Sequence, residues 1–386
     1  AAPQDFALVN VGQVKAAFSF ELPPPLDPEA DEDGDGMPNG WEMSYGLDPL
    51  DRFDVCDDPD GDGIPNVYEY HHGLDPRVDD ADFLEKIVVG GDAPGAVPTL
   101  KAAFAASRPY SVIEIAPGAY QGSGWTRLWF PEHPVLVTSP DGGRNRQVVI
   151  RDVGSGTCAT FYLAARQTVH TVVQGIYLDL ASTDGLQMGF WCGGNLPWSG
   201  TPAAGMFRNV YIRMSKPGVD YMGWFFRHWE SNEVVIAGCT LNAAGATRAR
   251  GIYAVDSPPM SVENCSFLRF PRAESPNLGY GIQYETTEQN WSGAPDPIPL
   301  EIVNCLFDGS FTNAYALAPL EMGVEYDVTM LNCLVPSPLE YEADHVGNLL
   351  VTNALVAFSG HLASDSPAIG AGAPVLYSRL DLDGQD

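Results

Sequence analysis

Val262-Glu263-Asn264-Cys265-Ser266-Phe267, Ile302-Val303-Asn304-Cys305-Leu306-Phe307 and Met330-Leu331-Asn332-Cys333-Leu334-Val335 are three copies of one local frame, and Ile236-Ala237-Gly238-Cys239-Thr240-Leu241 is a fourth. Their cysteines lie 26, 40 and 28 residues apart. One coil of a parallel β-helix consists of a few short strands and turns, so spacings in the twenties with occasional loop insertions fit such a solenoid. The residue before each cysteine is Asn or Gly, which tolerate the left-handed αL region. Gly175, Asn209 and Asn353 continue the series at Ile176, Val210 and Ala354. A left-handed residue between two strands bends the chain sharply, and stacked Asn amides bond from coil to coil at a spacing of about 4.8 Å. The cysteine one step later points inward, which predicts a buried stack of thiols rather than disulfides. The expected fold is therefore all-β, a right-handed parallel β-helix over residues 81–386.

Upstream, Val97-Pro98-Thr99-Leu100-Lys101-Ala102-Ala103-Phe104-Ala105-Ala106 has apolar residues at helical spacing with Pro near its start, and reads as a cap over the open end of the coils. The segment Tyr110-Ser111-Val112-Ile113-Glu114-Ile115-Ala116-Pro117-Gly118-Ala119-Tyr120 resembles the opening coil of pectin-lyase-like β-helix proteins. Ser366-Pro367-Ala368-Ile369-Gly370-Ala371-Gly372, followed by Asp381-Leu382-Asp383-Gly384, resembles the terminal segment of secreted bacterial β-helix proteins that carry a surface-anchoring tail. In those proteins the segment runs on past the point where this chain stops, at Asp386. An uncovered last coil is an exposed edge able to pair with another chain, so end-to-end assembly with copies of itself is an expected partnership.

Residues 27–80 have a different character, rich in acids, Gly and Pro. Two blocks there follow the twelve-residue calcium-loop template, in which positions 1, 3, 5, 7, 9 and 12 supply ligands and position 6 is Gly for a sharp turn. The first places Asp31, Asp33, Asp35, Met37 through its carbonyl, Asn39 and Glu42; the second places Asp58, Asp60, Asp62, Ile64 through its carbonyl, Asn66 and Glu69. The blocks stay aligned beyond the loops, Trp41-Glu42-Met43-Ser44-Tyr45-Gly46-Leu47-Asp48-Pro49 against Tyr68-Glu69-Tyr70-His71-His72-Gly73-Leu74-Asp75-Pro76, which predicts a short Gly-terminated helix in each. An acidic linker has no reason to repeat ligands, glycine and aromatic positions in register. His71 and His72 lack Cys or His partners at zinc spacing and read as solvated helix-end residues.

This region resembles the calcium-binding repeats of thrombospondin type 3 and the related D-x-D-G-D-G-x-P-x-x-W-E repeats of secreted bacterial proteins. The resemblance implies Ca2+ as the bound ion and a calcium-stiffened spacer, and chelation is expected to loosen residues 27–80 far more than the β-helix. Residues 1–26 form a separate N-terminal segment, with an amphipathic stretch from Val9 to Phe18 and the stiffening run Pro23-Pro24-Pro25.

Charge and composition narrow the function. Twenty Lys and Arg against 50 Asp and Glu give a formal net charge of -30, which repels nucleic acid and anionic lipid and gathers cations. No apolar run of about 18 residues is present to span a bilayer. The start at Ala1-Ala2-Pro3 reads as the product of leader removal after small residues, and so as a secreted or cell-surface protein. Seven cysteines cannot all pair within one chain, and whether Cys158 and Cys192 pair is open.

For chemistry, the resemblance to pectin-lyase-like enzymes implies an Arg or Lys base acting on acidic polysaccharides, or clustered aspartates. The best basic cluster is Arg208, Arg213, Lys216, Arg227 and His228, with Asp220, Glu230 and Glu285 as nearby acids and Trp224, Trp229, Tyr280, Tyr284 and Trp291 as groove-lining aromatics. The ordinary structural reading, arginines bonding carboxylates between coils and aromatics filling loops, is preferred. Gly90-Gly91 and Gly193-Gly194 lack the context of a phosphate loop, and Asp179 and Asp184 read as loop or coil-edge residues. The leading function is a non-catalytic structural or adhesive protein of the cell surface, with cell-surface glycans as the other partner class. A polysaccharide lyase and a carbohydrate-binding module are the alternatives.

Overall fold

The computed structural model describes residues 26–52, 54–140, 142, 146–163, 167–193, 205–227, 234–255, 260–271, 280–285, 298–309, 313–317, 326–335, 344–346 and 349–350. The amphipathic stretch at Val9–Phe18, Asn353 and the segments from Ser366 onward lie outside them. Two compact units form, one up to Arg52 and one from Phe53 onward.

The described part of the first unit is the first acidic loop and a helix, α1 (Asn39–Tyr45), ended by Gly46 at φ 79. The second unit contains the matching helix α2 (Asn66–His72), ended by Gly73 at φ 71, and then the coils. Both helices are closed by a left-handed glycine whose amide bonds back into the last turn, as the aligned blocks predict. The second block therefore belongs to the same compact unit as the coils.

Every strand pair described is parallel, and the strands fall into three sheets of ten, nine and seven strands. Seven successive coils each contribute one described strand to each sheet. In one coil Gly205–Arg208 lies in the ten-stranded first sheet, Tyr211–Met214 in the nine-stranded second and Asp220–Arg227 in the seven-stranded third. The next coil repeats the order with Val234–Ala237, Thr240–Asn242 and Arg248–Val255. This is a parallel β-helix.

The corner between the first and second sheets is a left-handed residue in six coils: Gly175 (φ 70), Asn209 (51), Gly238 (62), Asn264 (51), Asn304 (54) and Asn332 (52). The corner amides keep the ladder running, with Asn209 N donating to Ala237 O at 3.0 Å and Asn264 N to Val303 O at 3.0 Å. The Asn304 side-chain amide also donates to Asn264 Oδ1 at 3.1 Å, one rung of the predicted ladder, whereas Asn209 Nδ2 donates to Gly142 O at 3.3 Å. Cys239, Cys265, Cys305 and Cys333 are buried in the core, and all seven cysteines, Cys158 and Cys192 included, are unbridged and buried. Each stacked thiol donates to a carbonyl one coil back, Cys265 to Ile236 O at 3.3 Å and Cys305 to Val262 O at 3.4 Å. Burial pushes the Cys239 and Cys305 thiols well above their ordinary pKa.

Helix α3 (Leu100–Ala106) starts one turn later than the predicted cap. Thr99 is its N-cap, its hydroxyl accepting from Ala102 N, and Leu100, Ala103 and Phe104 are buried in the core at its start.

Candidate metal loops and an aromatic face

The two acidic loops share most of their internal bonding. In the first, Asp31 accepts from Gly34 N (2.8 Å), Asp35 N (3.1 Å) and Gly36 N (3.1 Å), while Asp35 Oδ1 accepts from Met37 N (2.7 Å). In the second, Asp58 accepts from Gly61 N and Gly63 N at 3.0 Å, and Asp62 Oδ1 accepts from Ile64 N at 2.9 Å. Glycines at positions 4 and 6 take φ of 77 and 94 in the first loop and 79 and 93 in the second. Position 4 was not singled out by the template, yet Gly34 and Gly61 occupy a backbone region that L side chains avoid.

These turns aim carboxylates at one another. Asp31, Asp33 and Asp35 each offer an oxygen within 4.8 Å of the others, as do Asp58, Asp60 and Asp62. Glu42 and Glu69 are fully buried. Both Glu69 oxygens, Asp60 Oδ2 and Asp80 Oδ1 are buried with no hydrogen-bond partner, an expensive state for a carboxylate. Burial first, and then the charges of Asp60, Asp62, Asp58 and Asp80, push the Glu69 carboxyl up to about 9; burial likewise pushes Asp60 to about 6. A hard oxygen donor set of this density, with no His or Cys in it, fits a hard divalent cation. The asparagines at position 9 also brace the loops, Asn39 Nδ2 donating to Asp27 O and Asn66 Nδ2 to Asp54 O, each at 2.7 Å. Met37 and Ile64 bury their side chains.

The second loop is bonded to successive coils. Tyr68 Oη donates to His170 O at 2.7 Å, Gln174 Nε2 to Gly63 O at 2.6 Å, and Arg208 Nη1 to Cys56 O at 3.2 Å. His71 is not a purely solvated residue: its ring stacks on Tyr110 with centroids 3.4 Å apart, and His72 Nε2 lies 2.9 Å from Tyr110 O. Desolvation there, with His170 and His72 nearby, holds the His71 pKa below its ordinary value. Tyr110 has φ 62, a rare backbone state for a bulky residue, and its hydroxyl meets His170 Nδ1 at 3.0 Å.

Among the described residues, the expected basic cluster does not converge. Arg208 stands on the first sheet, Arg213 on the second and Arg227 on the third, three different faces of one coil. Arg208 is engaged by Cys56 O, and Arg213 forms a two-pronged pair with Asp179 at 2.9 and 2.8 Å that Arg151 joins from the preceding coil at 3.2 Å. Asp179 is a buried inter-coil anchor rather than an edge residue. Lys216 lies in the turn between the second and third sheets. Trp224 is fully buried among Phe190 and Phe207 and lines no groove. The side chains of Arg227, Tyr284 and Glu285, and His228, Trp229, Glu230 and Trp291 altogether, lie outside the described residues.

A different set of aromatics lines the outer face of the third sheet. Trp129, Tyr162, Trp191, Phe225 and Tyr253 are in register on five successive strands. Their ring centroids are spaced 4.7, 6.3, 5.0 and 5.5 Å, over a length of about 19 Å at one coil spacing per step. Trp129 is exposed; Tyr162, Trp191, Phe225 and Tyr253 are partly exposed and pack on buried Ala159, Met188 and Met222, with the Arg250 guanidinium 4.3 Å over the Tyr253 ring. The signal was present in the sequence: Gly189-Phe190-Trp191, Gly223-Trp224-Phe225 and Gly251-Ile252-Tyr253 repeat glycine, an inward apolar residue and an outward aromatic.

No family model matches the chain, and no curated protein matches it. Among solved structures it is similar to the pectin methylesterase from Aspergillus niger, at 11% identity over 72% of this chain and 88% of that one, with a TM-score of 0.35. The assignment of this chain to the parallel β-helix class rests on its own strand pairing. No helix among the described residues is long and apolar enough to cross a membrane.

Proposed function

We propose that the protein is a calcium-braced β-helix that acts outside the cell as a non-catalytic adhesive element, holding an extended neutral glycan along the aromatic column of its third sheet. The column carries this reading. Sugar rings present flat C–H faces that stack on aromatic rings, and the coil spacing of about 4.8 Å is close to the length of one pyranose unit in an extended chain. A periodic surface thereby meets a periodic ligand. The net charge of -30 works against acidic glycans. The scatter of Arg208, Arg213 and Arg227 over three faces supports binding without turnover. Calcium is supported by the all-oxygen loops and by the buried Glu69 carboxylate, and weak extracellular sites of this kind bind at roughly 10⁻⁴–10⁻³ M.

Affinity electrophoresis in gels containing β-glucan, xylan, pectate or alginate tests the reading, with absorbance of unsaturated product as a second readout. Retardation by a neutral glycan, lost in Trp191→Ala, with no product from any polymer, is expected. Turnover of a uronate polymer overturns the non-catalytic part, and migration unaffected by every glycan overturns the adhesive part.

A further inference from the structure

The second loop has a neighbour outside its twelve residues. Asp80 closes back on it, its amide donating to Asp62 Oδ2 at 3.2 Å beside that of Ala81 at 2.8 Å. Asp62, Glu69 and Asp80 each offer a carboxylate oxygen within 4.8 Å of the other two. Glu69 is wholly buried with both oxygens unpartnered, and Asp80 Oδ1 is buried and unpartnered beside it. Asp80 Oδ2 receives only a long contact of 3.5 Å from Asp75 N. Two carboxylates with unsatisfied oxygens turned toward a third in a dry site repel one another when ionised, and a cation between them lets them stay ionised.

We infer that Asp80 is a ligand of the second cation, so that this ion binds the acidic loop to the entry of the first coil. The inference rests on the calcium reading of the loops. Asp80 directly precedes the short helix Ala81–Phe83, and strand Lys86–Val89, which opens the first sheet, follows. A cation held by Asp58, Asp60, Asp62, Glu69 and Asp80 thus fixes where the first coil starts, as well as the shape of the loop.

Calcium titration by calorimetry on the full chain, comparing wild type with Asp80→Asn, separates the possibilities. Two ions are expected for wild type; in Asp80→Asn one site should weaken by about tenfold or more while the other keeps its affinity, since ligand charge count sets affinity in such loops. No calcium uptake by wild type would overturn the calcium reading itself. Two unchanged sites in Asp80→Asn would overturn the role of Asp80 and leave that reading standing. If the variant does not fold, hydrogen exchange of wild type decides: calcium should slow exchange across residues 78–84 together with 58–69, and slowing confined to 58–69 would overturn the inference.

Discussion

Glu69 is a carboxylate buried beside other carboxylates with no donor on either oxygen, so without a cation it keeps its proton at neutral pH. The folded chain then holds that proton up to about 9, whereas an unfolded chain releases it near the ordinary value of 4.5. A raised folded pKa favours folding at low pH, and that contribution is lost as pH rises from 4.5 through about 9, with Asp60 adding to the loss up to about 6. Calcium-stripped protein should therefore melt at progressively lower temperature between pH 5 and pH 9. Calcium should flatten the profile, and Glu69→Gln should flatten the calcium-free profile alone; an unchanged slope in Glu69→Gln would assign the dependence to other groups. The corner asparagines make a separate prediction. Asn304 sits at φ 54 and bonds Asn264, so Asn304→Ala should lower stability by roughly 1–2 kcal/mol, while Asn304→Gly, which loses the amide bond but not the backbone freedom, should cost less. Denaturant midpoints of the two variants read this directly. These corners were legible in the sequence because a left-handed residue is a local requirement that only Asn and Gly meet easily. Asp80 was not, because a ligand beyond the loop depends on how the chain folds back.

At the scale of the strand, the third sheet shows what periodicity alone leaves out. Gly189, Gly223 and Gly251 occupy one column where the backbone is approached closely from inside. A Cβ at Gly251 would meet Gly281 O at 2.3 Å and the Phe267 ring at 2.7 Å, and one at Gly223 would meet Leu241 Cδ2 at 2.4 Å and Gly251 O at 2.6 Å. Backbone oxygens cannot retreat as side-chain ends can, so Gly251→Ala should destabilise by about 1–3 kcal/mol through overpacking, seen as a lower denaturant midpoint. An unchanged midpoint would show that the coils slide to make room. The residues just after this column alternate between core and surface: Phe190, Trp224 and Ile252 turn inward, and Trp191, Phe225 and Tyr253 turn outward. The sequence suggests a groove lined by Trp224, Trp229, Tyr280, Tyr284 and Trp291, whereas Trp224 turns into the core and the outward aromatics of this sheet stand one per coil. In a β-helix the relevant neighbour is one coil away, at intervals that vary with loop length. The cysteine frames were found because their Asn-Cys pair is distinctive, and the aromatic column was missed because its glycine is common.

A solenoid is nearly one-dimensional: each coil touches the coils above and below, so it opens from its weakest point without much effect on distant coils. The second acidic loop breaks that rule. Through His71, Tyr68, Gly63 and Cys56 it reaches Tyr110, His170, Gln174 and Arg208, which border or belong to first-sheet strands Ser111–Ile115, Val172–Gln174 and Gly205–Arg208. The strand Val135–Thr138 pairs between the first two of these, so the loop ties across four neighbouring coils. The expectation that chelation loosens residues 27–80 far more than the coils treats that segment as one spacer, whereas the second block is packed into the coil unit. Calcium loss from this loop should therefore raise amide exchange in residues 54–80 and also in the three first-sheet strands it ties. Strands remote from it, such as Met260–Glu263 and Ile298–Val303, should exchange as before because only nearest-neighbour contacts link them to the loosened coils. Tyr110, held at φ 62 against His71 and His170, should be among the first residues released. Exchange that rises only within 58–69 would mean that the tie adds little to the coils, and a uniform rise along the whole stack would mean that the coils unfold as one cooperative body rather than in sequence from the loosened end.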